Sequence, residues 1–126
     1  MSNQLARIRQ PLLHLHKTLL DFERANYEKV NGKVTPNQLL NLLLQDEHFA
    51  WLHVISELVV RIDELLDSKE PPNEEDAETI IREARKLLTP VEIGEEFGSK
   101  YQYALQQDPN VVMAHQEVRD SLKLLN

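Results

Sequence analysis

A chain of 126 residues with 41% hydrophobic and 28% charged side chains is long enough for one buried core, too short for two, and globular in composition rather than disordered. It has no cysteine, which removes disulfides and thiolate chemistry. A formal net charge of −7, with 14 Lys and Arg scattered against 21 Asp and Glu, argues against nucleic acid as the partner, because phosphate backbones are held chiefly by Lys and Arg.

The first ten residues, MSNQLARIRQ, lack the continuous apolar segment of a signal peptide, and no stretch approaches a membrane span. A cytoplasmic protein is therefore expected. Residues 1–32 form the first helical run, with Leu5, Ile8, Leu12, Leu15, Leu19 and Phe22 on one stripe at the spacing of a helix face. Pro11 falls inside it, where proline costs ~3 kcal/mol, so a kink or a short preceding turn is expected there. Asn31-Gly32 supplies a left-handed stop. Thr35-Pro36 opens a second helix, with the threonine as cap and proline at the first position. Its body, QLLNLLLQ, is apolar on nearly every face and is expected to lie between other elements.

Residues 46–67 read as one long helix around which the others pack. Leu52, Ile55, Val59, Ile62 and Leu66 make its main stripe, widened by Trp51, Val54, Leu58 and Leu65. Asp46 can cap its first turn, and Pro71-Pro72 lie past its end. SKEPPNEE at residues 68–75 is the clearest linker. Asn73 is placed to cap the next helix, whose first turn carries Glu74, Glu75 and Asp76 at the positive end of the dipole. Ala77, Ile80, Ile81, Ala84, Leu87 and Leu88 form its apolar face, and Thr89-Pro90 ends it. A fifth helix over residues 95–107 buries Phe97, Tyr101, Ala104 and Leu105, with Gly98 expected to weaken it by ~1 kcal/mol relative to alanine. Asp108-Pro109-Asn110 repeats the cap-then-proline start, and Val111, His115, Val118, Leu122 and Leu125 share the last stripe. The expected fold is a single all-α domain spanning residues 1–126, a compact bundle of four main helices with one or two short accessory ones.

Chemistry in such a bundle would rest on its histidines and carboxylates. His53 with Glu57, and His115 with Asp120, follow spacings similar to the second- and fourth-helix motifs of the hemerythrin family. That resemblance implies a metal-binding bundle in which His14 or His16 supplies the first-helix ligand. The family's third-helix H-x-x-x-H has no counterpart, since residues 74–89 contain no histidine. His53 and Glu57 also fall on the polar arc of their helix, where an i,i+4 pair is a solvated contact. His16 and His115 are nearest the apolar stripes and are expected to be hydrogen-bonded core or boundary residues. Arg9 and His14 resemble the R-x4–6-H motif of HEPN ribonucleases, which implies RNA cleavage, although Pro11 interrupts the motif. The run Glu74, Glu75, Asp76, Glu78 resembles that of helical Mg²⁺-dependent nucleotide pyrophosphohydrolases, whose further ligands would come from Glu57, Asp63 and Glu64. Magnesium needs carboxylates converging from separate turns or helices.

No glycine-rich phosphate loop or nucleophile elbow is present. With no catalytic, cofactor or metal set passing the spacing tests, the expected function is a non-enzymatic cytoplasmic interaction or scaffold protein. The alternatives are a metal-binding bundle and, behind it, a small Mg²⁺-dependent nucleotide hydrolase. The leucine-rich QLLNLLLQ and the C-terminal LKLLN offer more apolar surface than one small bundle covers, so a homodimer or another protein partner is expected.

Overall fold

Leu5, Ile8, Leu12, Leu15 and Leu19 are all fully buried along one side of a 30-residue helix, α1 (Ser2–Asn31), in the computed structural model of the chain. The structure describes residues 2–68, 70 and 74–125. The helix continues through Pro11, with no separate turn before it. The apolar stripe is uninterrupted on both sides of the proline, so tertiary packing holds the helix where propensity alone would break it. Gly32 closes α1 with a left-handed φ of 84°, its amide donating to the Glu28 carbonyl.

Beyond Gly32 come α2 (Pro36–Gln45), α3 (Glu47–Ala50), α4 (His53–Leu66), α5 (Glu74–Arg85), two 3-10 turns at Lys86–Leu88 and Pro90–Glu92, α6 (Glu95–Gln107) and α7 (Pro109–Lys123). The all-α class is as the sequence predicts, though the helices are more finely divided. There are seven among the described residues, and no strand. No helix among them is long and apolar enough to cross a membrane.

The helix expected over residues 46–67 is two helices. Asp46 does cap its start, accepting from the His48 amide at 2.7 Å, but a turn at Trp51–Leu52 separates α3 from α4. Phe49, Trp51 and Leu52 are all buried. On an ideal helix residues 49 and 51 point about 200° apart, so one straight helix cannot turn both inward. The backbone bends to seat them.

Nor is that segment the centre of the fold. α1 is, packing against α3, α4, α5 and α7, with α4 and α7 its main neighbours. Leu52, Ile55, Leu58, Val59 and Ile62 from the α4 side, Ala77, Ile80, Ile81, Ala84 and Leu87 from the α5 side, and Val111, Ala114, Val118 and Leu122 of α7 close the core around it. α6 caps one end, against α7 and the Pro90–Glu92 turn. There Gly98 is buried because of a close approach: a Cβ on it would stand 2.8 Å from Val91 Cα. The glycine expected to weaken α6 is what lets the turn pack on it.

α5 begins with Glu74, Glu75 and Asp76 and ends with Arg82 and Arg85 in its last turn, matching both ends of the dipole. Asn73, Pro71 and Pro72, read as cap and terminators, lie outside the described residues.

Candidate functional site

The residues singled out in the sequence are dispersed by the fold. Arg9 and His14 point to different neighbours. The Arg9 guanidinium donates to the Asp63 carboxylate of α4 at 2.5 Å and holds that carboxyl below its usual range, while His14 Nδ1 meets Glu117 of α7 at 2.8 Å. His53 is turned toward α2, its Nε2–H donating to the Leu43 carbonyl at 2.7 Å. Glu57 lines a separate groove of about 220 Å³ with Arg61, Glu83, Lys86 and Glu92, where Arg61 and Glu83 form an ion pair. His115 Nδ1 lies 2.8 Å from the Tyr101 hydroxyl, while Asp120 is exposed. Among the described residues no three His, Asp or Glu side chains form a group that could hold a metal ion. Thus neither the hemerythrin-like spacings nor the acidic run at the start of α5 is assembled into a ligand set.

A polar seam that periodicity did not disclose runs along the side of α1 facing α3 and α6. Glu23 is buried, with 7% of its surface exposed, and its Oε2 pairs with His48 Nε2 at 2.7 Å. Burial raises the Glu23 pKa, offset by His48, Lys100 and the Trp51 indole. That indole is close enough to help hold the carboxylate, yet its buried Nε1 makes no hydrogen bond of ordinary geometry. Beside it the rings continue from Trp51 to Phe97, Tyr101 and His115, with centroids 5.5–5.6 Å apart. Tyr101 is fully buried, which drives its pKa far up and keeps the phenol protonated, and burial lowers that of His115. A neutral imidazole accepting from a phenol O–H needs nothing further to account for it. His16 is the exception, its Nε2 buried without a partner.

The least satisfied surface is α2. Five of its ten residues are leucine, yet none of the ten is buried. Leu39, Leu42 and Leu43 pack partly onto the core, while Leu40 and Leu44 are 54% and 62% exposed. The expectation that this segment lies between other elements is overturned: its own chain covers only one side. The helix is nonetheless well made. Thr35 Oγ1 accepts from the Gln38 amide and Gln38 Oε1 from the Thr35 amide, a reciprocal cap satisfying two amides that the first turn leaves open. Its flanks are tied down by Arg24 donating to the Val34 carbonyl, the Val34 amide donating to Glu28, and His53 at Leu43. A fixed, capped and uncovered apolar helix has the makings of a recognition element. The leucines were legible in the sequence; that the fold leaves them out was not. Comparison with protein-family models, curated proteins and solved structures finds no match to this chain.

Proposed function

We propose that the chain is a non-enzymatic, cytoplasmic interaction or scaffold protein whose docking element is α2. The observation that carries this reading is the helix of five leucines in which no residue is buried. A solvent-facing helix not shaped for docking would present polar side chains on its outer arc, whereas α2 places Leu40 and Leu44 there. The non-enzymatic part is supported by the histidines. His14, His48, His53 and His115 each meet one protein group, which accounts for them as structural contacts.

Photo-crosslinking tests it. A photoreactive residue replacing Leu40 should give a discrete adduct in the chain's native cells, lost on adding Leu44→Asp. The same residue replacing exposed Glu78 on α5 should give none. Absence of any adduct from position 40, or an adduct indifferent to Leu44→Asp, overturns the reading.

A further inference from the structure

We infer that the partner docking on α2 is a second copy of this chain, laid antiparallel along it about a two-fold axis. The inference rests on the reading of α2 as the docking element and adds the occupant and its direction.

Three features of α2 favour a second copy. The first is charge. The chain carries a formal net charge of −7, with 28% of its residues charged, so two copies repel wherever their acidic surfaces meet. α2, PNQLLNLLLQ, has no charged residue. It is a face that two like-charged chains can bring together at little electrostatic cost.

The second is the border of the leucines. Asn37, Asn41 and Gln45 are exposed on the arc beside Leu40 and Leu44. A carboxamide both donates and accepts, so a row of them complements a copy of itself. Arginine or glutamate at those positions would instead call for a partner of opposite sign.

The third sets the direction. α2 has no acidic residue in its first turn and no basic residue in its last, so nothing within it compensates its dipole. Glu28 reaches the Val34 amide ahead of its start, but the charges that adjoin the helix in sequence are of the wrong sign for it. Lys33 precedes its positive end, and Asp46 and Glu47 follow its negative end, where Asp46 serves as the cap of α3. A second α2 laid antiparallel reverses every one of these relations. Lys33 of each copy then faces the Asp46–Glu47 end of the other, and the two dipoles oppose. Parallel pairing would put lysine against lysine and acid against acid.

Size sets the strength. A ten-residue helix is about 15 Å long, so paired α2 helices bury less than the ~800 Å² per partner of a standard interface. The dimer is therefore weak and exchanging, with a dissociation constant on the order of 10 µM.

Sedimentation equilibrium of the full chain between about 2 and 200 µM, a range spanning that constant, should show a monomer–dimer equilibrium. Leu40→Asp with Leu44→Asp should leave a monomer with unchanged helical circular dichroism, both residues being exposed. The charges give a second arm that does not touch the leucines. Lys33→Glu alone and Glu47→Lys alone should each weaken the dimer several-fold at low salt. The two substitutions in one chain should restore it, and so should an equal mixture of the single variants. A dimer unaffected by the leucine pair, or single charge variants that dimerise like the parent, overturns the inference. A strict monomer whose position-40 photoadduct has a mass other than twice the chain also overturns it, while leaving α2 as a docking element for another protein. A strict monomer with no adduct overturns both readings.

Discussion

The Nε2 of His16 is buried with nothing to bond, and the ring's pKa is lowered by burial and by His53. His115 is lowered in the same way, by burial and by Arg119. In the unfolded chain both titrate near the ordinary value of 6.5. As pH falls below that value the unfolded chain takes up protons that the folded residues resist. Their contribution to stability is thus complete above the unfolded pKa and is lost as pH falls toward the lower folded values. Glu23, raised by burial, has the opposite sign: its contribution is present at low pH and is lost as pH rises through the raised pKa. Replacing His16 by leucine removes an unpartnered buried nitrogen, so His16→Leu should stabilise the protein. The gain should be about 1 kcal/mol near pH 5.5 and less near pH 7.5. Urea unfolding at the two pH values measures it, and an equal gain at both would dissociate the effect from the histidine's proton. The sequence marked His16 and His115 as core or boundary residues because both adjoin apolar stripes. It gave no sign of buried Glu23, because a stripe reaching Leu19 continues equally well to 22 or 23, and what selects the glutamate is a histidine on another helix.

Gly98 shows how an element's local preference and its tertiary setting can differ in sign. In an isolated helix alanine there would gain ~1 kcal/mol over glycine. In the fold a Cβ would meet the Val91 backbone at 2.8 Å, and backbone cannot swing aside as a flexible side chain does. Gly98→Ala should therefore destabilise by about 1–3 kcal/mol, the range for overpacking a tight contact. An unchanged or raised denaturation midpoint would show that the Pro90–Glu92 turn can move away. The same division between local and tertiary causes explains which elements were legible. Starts with their own punctuation, Thr35-Pro36 and Asp108-Pro109, were readable because a cap acts over three or four residues. The joint at Trp51–Leu52 was not, since both residues suit a helix, and the bend exists to bury Phe49 and Trp51 together. α2 was misplaced for a related reason: hydrophobicity says that a surface must be covered, and says nothing of which chain covers it.

Across the molecule, the cost of a substitution turns on whether it reaches the one contiguous core. α1 forms its axis, and Leu58 and Ile62 of α4 are buried against it, with 4% and 0% of their surfaces exposed. Ile62→Asp places an unpaired carboxylate in that core and should abolish cooperative folding. Leu44→Asp introduces the same carboxylate on exposed α2 and should shift stability by no more than ~0.5 kcal/mol. Circular dichroism and denaturant titration of the two variants make the comparison, and a folded Ile62→Asp would overturn the assignment of the interior.

The chain's one tryptophan is the buried Trp51, set where α3 meets α4, with the Phe97 ring at 5.6 Å and the Glu23 carboxylate beside its indole. Its fluorescence therefore comes from a single known place. With the side chain shielded from water, its emission lies toward the blue, and loosening of the joint that carries α2 sends it toward the red. Because α2 itself holds no tryptophan, light from Trp51 distinguishes a docking event that leaves the joint intact from one that pries it open, with no label added.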